Sequence, residues 1–136
     1  MKRFYSKVDP DILLFTLNKS EDITYDRTDL SPEDQYLQVA TKKLSKDTTF
    51  RPHRHLKLTR QIDKTQEAWV FLSGKVRASF YDIDDTLFLE TELSAGDCAV
   101  AYNAGHSFIV LEDKTTLYEF KNGPYLGIEK DKKFID

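Results

Sequence analysis

The chain has 136 residues and a mass near 15.8 kDa, a size that suits one compact domain. Apolar residues make up 40% of it, with 9 Phe, 7 Tyr and 1 Trp, so a core can form and general disorder is excluded. The 20 Lys and Arg nearly balance the 23 Asp and Glu, which gives a net charge of −3. That balance does not predict the basic surface of a nucleic-acid-binding protein, and we expect no nucleic-acid partner.

Targeting and redox features point to the cytoplasm. The longest apolar runs, such as Ala68 to Leu72, are far too short to span a membrane, and no apolar segment with a small-residue cleavage site follows Met1. The single cysteine, Cys98, excludes an internal disulfide and a cysteine-based zinc site. We therefore expect a cytoplasmic domain without a membrane partner.

The first 35 residues differ in pattern from the rest. They are polar and irregular except for an apolar patch from Ile12 to Leu17, and they show no sustained helical period. We interpret residues 1–35 as an N-terminal arm that packs on a main domain formed by residues 36–136.

The main domain alternates short strands and turns. A strand-compatible segment covers Leu37–Leu44, Glu67–Leu72 is apolar on both faces, and Lys75–Tyr81 alternates between apolar and polar residues. Further strands are predicted at Leu87–Glu92, Ala99–Tyr102, His106–Leu111 and Leu117–Phe120. Strands separated by turns at this spacing predict an all-β fold, an antiparallel sandwich or barrel, and leave no room for the helical crossovers of a parallel sheet.

The candidate chemistry lies in the histidines. His53 and His55 are spaced i and i+2, which on an extended strand points both imidazoles to one face, about 7 Å apart. Two such imidazoles can share one metal ion, because each must come within only ~2.1 Å of it. The alternative is a pair of surface histidines on an exposed strand.

Glu67 and the third histidine, His106, each begin an apolar strand. A carboxylate at the start of the most apolar strand is costly to bury unless a cation or a hydrogen-bond donor meets it. A divalent metal ion would meet that need. The alternatives are that Glu67 stays solvated at the end of its strand or pairs with an arginine such as Arg54 or Arg60.

These residues resemble the cupin family. His53-Arg54-His55, then Glu67, then six residues to Gly74 resembles the first cupin motif, H-x-H-x(3,4)-E-x(6)-G, and the stretch from Gly96 to His106 resembles the second. The run Tyr118 to Tyr125 is similar to the small WbuC-like cupins of bacterial surface-polysaccharide proteins. The resemblance covers roughly residues 36–136. One departure is large: the 11 residues Leu56 to Gln66 separate His55 from Glu67 where the family has three or four.

The resemblance implies a cupin-type antiparallel β-sandwich or jelly-roll barrel with a metal in it. Carried over residue by residue, it implies one divalent ion, Zn, Fe, Mn, Co or Ni, held by His53, His55, Glu67 and His106. Strand alternation places three aromatic residues near these ligands, as a substrate pocket: Trp69, Phe71 and Phe108.

The function that follows is that of a metal-binding cupin that binds or acts on a small molecule. The resemblance makes a sugar or a polysaccharide-pathway intermediate the expected ligand. Two alternatives stay open: a non-catalytic ligand-binding or sensing cupin, and an iron-dependent dioxygenase. If the protein is an enzyme, the resemblance implies a metal-dependent isomerase, epimerase or dioxygenase. A sugar-nucleotide epimerase of the cupin type differs in that it normally uses a histidine general base without metal. We also expect a homodimer, because a short barrel has open sheet edges and the apolar patch from Ile12 to Leu17 can cover the edge of a partner.

Overall fold

The computed structural model describes residues 1–135 and is all-β, as predicted. Its strands are antiparallel throughout. The strands are β1 (Lys2–Tyr5), β2 (Leu13–Asn18), β3 (Thr28–Asp29), β4 (Ala40–Thr41), β5 (Glu67–Ser73), β6 (Lys75–Tyr81), β7 (Leu87–Ser94), β8 (Cys98–Ala101), β9 (Gly105–Val110) and β10 (Thr116–Lys121). A short helix, α1 (Ile128–Asp131), follows the last strand.

The strands form two main sheets with the core between them. The larger sheet has the order β1-β2-β8-β5-β10, the smaller has the order β7-β6-β9, and β3 pairs with β4 apart from both. Inward-facing residues of both sheets make one buried cluster, in which the rings of Phe15 and Phe80 stack with centroids 4.1 Å apart. Aromatic stacking of this kind fixes the two sheets relative to each other.

The strands from Glu67 onward match the predicted ones closely, because alternation and turn residues agree there. The turn between β5 and β6 is an example of how a single turn residue sets the end of a strand. Gly74 has φ +75°, and a Cβ at this position would lie 2.1 Å from Oγ1 of Thr115. Only glycine fits such a turn, so the E-x(6)-G spacing has a steric basis.

The N-terminal residues contribute directly to the main sheet. Strand β2 lies between β1 and β8, and all six of its residues are buried. Because the apolar patch from Ile12 to Leu17 belongs to the core of its own chain, it is not free to cover the sheet edge of a partner.

The segment between β4 and β5 differs most from expectation. Of the predicted strand Leu37–Leu44, only Ala40–Thr41 is a strand, and residues 42–66 contain neither helix nor strand. Every residue from 42 to 64 is exposed. The extended strand expected to carry His53 and His55 does not form, because a strand needs a neighbour to complete its hydrogen bonds.

None of the helices that the structure describes within residues 1–135 is long and apolar enough to cross a membrane.

Candidate functional site

Glu67 and His106 meet across the gap between the two main sheets. Glu67 is the first residue of β5 in the larger sheet, and His106 is the second residue of β9 in the smaller one. The imidazole Nε2 lies 3.0 Å from Oε2 of Glu67. Thus Glu67 and His106, two of the four predicted ligands, lie next to each other.

The second oxygen of Glu67 has its own partner, Lys121. The register of β10 against β5 sets Lys121 opposite Glu67, and its Nζ lies 2.9 Å from Oε1. The same ammonium is 3.2 Å from a carboxylate oxygen of Glu119. A further ammonium, that of Lys132, lies 3.9 Å from Oε1 of Glu67. The buried acid is therefore neutralised by side chains of this chain.

These contacts keep Glu67 ionised. Although only 5% of the residue is exposed, its pKa is lowered to about 2. The hydrogen bond from His106 is the largest cause and, with the bond from Lys121, outweighs burial, which acts in the opposite direction. The hydrogen bond to Glu67 in turn raises the pKa of Lys121.

An ionised Glu67 fixes the tautomer of His106. Because a carboxylate only accepts hydrogen bonds, Nε2 carries the proton that is donated to it. The other ring nitrogen, Nδ1, is shielded from solvent and has no hydrogen-bond partner among the residues that the structure describes. Its hydrogen-bonding capacity is therefore unmet in this arrangement.

Trp69 holds the imidazole from one side. The indole and imidazole rings meet edge to face with centroids 4.5 Å apart. The indole N–H donates to a carboxylate oxygen of Glu119 at 3.2 Å. Since Glu119 also binds Lys121, the four side chains around His106 form one connected network.

A cavity of about 780 Å³ opens beside this network, large enough for a small organic ligand. Glu67, Trp69, His106 and Phe108 line it, so two of the three predicted pocket aromatics face the cavity. Phe71 is buried in the core instead, with its ring 6.3 Å from that of Phe108. Phe71 therefore packs behind Phe108, which lines the cavity.

The C-terminal residues complete the cavity. Asp131, in α1, accepts a hydrogen bond from the hydroxyl of Thr65, and the side chain of Ile135 lies over Gly105. Both residues line the cavity, as do Lys132 and Phe134. No local pattern in this short charged segment predicts such a position, so sequence analysis missed it.

Two network residues could have been predicted from alternation. Leu117, Glu119 and Lys121 are spaced at i, i+2 and i+4 along β10, so they share the face that meets the cavity and the core. The strand Leu117–Phe120 is predicted from sequence, but neither Glu119 nor Lys121 is among the predicted site residues. Glu67 pairs with a lysine, and not with the arginine that sequence analysis gives as one alternative.

His53 and His55 lie apart from this site. Both are exposed within the loop, and their rings contact each other with centroids 5.5 Å apart. Over residues 1–135 no group of three or more His, Cys, Asp or Glu side chains is placed to hold a metal ion. Both oxygens of Glu67 are already bound by N–H donors. As placed, the four predicted ligands do not fit a common metal ion.

Comparison of the chain with protein-family models, with curated proteins and with solved structures found no match.

Proposed function

We propose that this protein is a cupin-type jelly roll that binds a small polar molecule in the cavity and transfers a proton to and from it through His106. The observation that carries the proposal is the arrangement of one imidazole between a buried carboxylate and a cavity. Nε2 is bound to Glu67 at 3.0 Å, while Nδ1 has no partner in the described chain. Pairs of this kind are typical of general acid–base sites.

The roles of the residues follow from their charges. When the bound molecule displaces the side chains that shield Nδ1 of His106, this nitrogen accepts a proton from an acidic C–H or O–H of the molecule, and the electron pair stays on that molecule. The ring then carries a positive charge, which the Glu67 carboxylate stabilises. Lys121 keeps that carboxylate ionised, since its ammonium lies 2.9 Å from Oε1. Nδ1 then returns the proton to the bound molecule, either at another atom or at the same atom after the molecule has rearranged.

The lining of the cavity has charges of both signs, but its acids are bound by other side chains, Glu67 and Glu119 by Lys121 and Asp131 by Thr65. The remaining groups favour an anionic ligand with an apolar face. The aromatic side chains of Trp69 and Phe108 offer flat surfaces, while Lys64 and Lys132 supply positive charge. A sugar acid or sugar phosphate combines both features and agrees with the ligand class implied by the resemblance. If no turnover occurs, the same contacts describe a sensing module that binds such a molecule without changing it.

The metal-dependent version of this function stays a prediction from sequence. It requires the loop to carry His53 and His55 to Glu67, and it requires Lys121 and His106 to release the carboxylate. Because the arrangement described above does not contain that site, the proposed proton transfer is assigned only to residues that meet in the structure.

Ligand binding is testable by nuclear magnetic resonance, since only three histidines are present. The imidazole C–H signals are assigned with single His→Asn variants. A panel of glucuronate, galacturonate, glucose 1-phosphate and malonate is then titrated into the protein. We expect at least one member to shift the His106 signals and leave those of His53 and His55 in place.

Two variants make the assignment specific. In His106→Asn the affinity for that ligand should fall at least tenfold, and any proton exchange at the ligand should stop. His53→Asn is the matched control, because its side chain is exposed in the loop, and it should bind as the unaltered protein does. No shift from any compound, or equal loss in both variants, would contradict the proposal.

A further inference from the structure

The segment of residues 128–135, here called the strap, lines the cavity without pairing with either sheet. It consists of the four-residue helix α1 and the residues after it, and no residue of α1 is buried. In the described part of the chain, the backbone hydrogen bonds of the strap stay local, from Lys130 to Gly127 and from Lys132 to Ile128. A segment without backbone bonds to the sheets opens at a lower free-energy cost than the strands do.

Two charged contacts attach the strap to the rest of the molecule, and both are weak. Nζ of Lys133 lies 2.7 Å from Oδ2 of Asp85, but the lysine side chain is 81% exposed, and exposed ion pairs contribute little to stability. Nζ of Lys132 lies 3.9 Å from Oε1 of Glu67, which is beyond hydrogen-bond distance. These contacts orient the strap over the cavity and do not fix it there.

Two further contacts place the strap beside His106. The side chain of Ile135 packs over Gly105, the residue before His106, so closely that a Cβ at Gly105 would lie 2.5 Å from its Cδ1. Asp131 accepts a hydrogen bond from the hydroxyl of Thr65. The strap therefore covers the backbone that leads into His106.

The closed position of the strap leaves polar atoms unsatisfied. Three buried side-chain N or O atoms within residues 1–135 have no hydrogen-bond partner. Two of them, Nδ1 of His106 and Oδ2 of Asp131, belong to residues that line the cavity, because Thr65 binds only the other oxygen of Asp131. An acceptor that is shielded from water and has no donor costs free energy. Opening would return both atoms to water, so their burial favours the open position.

Gly127 provides a point about which the strap can turn. It directly precedes α1 and has φ +101° and ψ 157°, a conformation that residues with a side chain rarely adopt. A Cβ at this position would meet no heavy atom within 4 Å. Because the surroundings of Gly127 are open, its backbone can rotate without a clash.

We propose that the strap is a lid that turns about Gly127, opens to admit a molecule to Nδ1 of His106 and closes over that molecule. Closure of such a lid excludes water from the reacting groups. The lid rests on the proposed function only for what enters the cavity. Opening and closing take place in the free protein as well, and they are measurable without a ligand.

Chemical modification of the histidines tests the opening. Diethyl pyrocarbonate acylates an accessible imidazole nitrogen, and mass spectrometry of peptides measures each histidine separately. His53 and His55 are exposed and should react fast, whereas His106 should react at least about tenfold more slowly. Ile135→Ser should raise the His106 rate at least about fivefold, because it removes the contact over the preceding residue. Ile128→Ser is the matched control, since Ile128 lies in the same segment and is 51% exposed, and it should leave the rate unchanged.

Thr65→Val gives a second variant that acts from outside the strap. It keeps the shape of the side chain but removes the hydrogen bond to Asp131, so it should also raise the His106 rate. Circular dichroism confirms that each variant is folded. If His106 reacted as fast as His53 in the unaltered protein, or kept its slow rate in both variants, the strap would not be the lid.

Ligand exchange separates the lid from the proposed function. For any compound of the panel that shifts the His106 signals, Ile135→Ser should speed both association and dissociation at least about threefold, which NMR line shapes measure. Exchange rates that stay unchanged in this variant would overturn the lid even though the ligand binds. If no compound binds, the proposed function fails, while the modification rates of His106 still decide whether the strap opens.

Discussion

The sheet residues around the cavity and those of the loop 42–64, here called the basic loop because it holds 8 of the 20 Lys and Arg, contain the same kinds of side chain in different surroundings. His106 lies between a buried carboxylate and an indole ring, whereas His53 and His55 are exposed and contact each other. Glu67 has three basic side chains within 4 Å, whereas the loop carries many basic residues and few acids. Position relative to the sheets, and not residue type, separates these two environments.

Of the two regions, only the one around the cavity holds its side chains in the fixed positions that acid–base chemistry needs. A general base needs a fixed neighbour, and strands β5, β9 and β10 fix Glu67, His106 and Lys121 by their register. A loop without such neighbours cannot hold an imidazole in one orientation. Its charged and apolar side chains are exposed to solvent instead.

The largest contrast between the two regions concerns stability. Phe80 is 1% exposed and stacks on Phe15, so Phe80→Ala should lower the free energy of unfolding by about 4 kcal/mol. Phe50→Ala in the basic loop should lower it by less than about 0.5 kcal/mol, because Phe50 is 57% exposed. Urea denaturation measures both. Equal losses would mean that the loop is part of the folded core.

How much the sequence predicts depends on the range of the interactions. The strands from Glu67 onward follow from alternation and from turn residues such as Gly74, which act over a few residues. The meeting of Glu67 with His106 depends on two sheets packing together, and only the family resemblance anticipated it. Lys121 reaches Glu67 through cross-strand register, and Asp131 reaches Thr65 through the path of the C-terminal chain. In neither case does the sequence around one residue indicate which distant residue it contacts.

The segment around His53 and His55 shows the opposite case. A spacing of two residues predicts a shared face only if the backbone is extended and paired. The 11 residues between His55 and Glu67 allow the histidines to lie away from the sheet, and local sequence carries no information on that choice. Of the four ligands predicted from sequence, the candidate site therefore contains two, Glu67 and His106.

The buried carboxylate gives the next largest effect, and it depends on pH. The folded-state pKa of Glu67 is lowered from 4.5 to about 2, so its stabilisation is complete above pH 4.5 and is lost as the pH falls towards 2. Glu67→Gln should cost on the order of 2 kcal/mol at pH 7. The difference from the unaltered protein should shrink steadily below pH 4.5.

Asp47→Asn is the matched control for this measurement, because Asp47 is an exposed acid of the basic loop and asparagine tolerates its positive φ. Its unfolding profile should follow that of the unaltered protein between pH 2 and 7. A Glu67→Gln difference that stays constant over this range would show that the charge of Glu67 does not stabilise the fold.

Removal of the lysine partner should have a smaller effect. Lys121→Gln leaves Glu67 with its bond from His106, so we expect a loss of about 1.5 kcal/mol at pH 7. The pKa of Glu67 should rise at the same time, which carbon-detected NMR of the carboxyl group measures. Lys57→Gln in the basic loop is the control and should change neither quantity. An unchanged pKa in Lys121→Gln would remove Lys121 from the site.

The smallest expected change in stability comes from the loop histidines, and it decides the metal question. His53→Ala/His55→Ala should leave the unfolding midpoint and the His106 signals unchanged, because both side chains are exposed and away from Glu67. In parallel, elemental analysis measures the metal content of protein that was purified without any chelator. About one divalent ion per chain, lost in the double variant, would show that the loop does reach the cavity and that the four-ligand site predicted from sequence forms. A metal content below about 0.2 ions per chain would exclude that four-ligand site. It would leave the proton chemistry to His106 and Glu67, whose contact does not depend on the loop.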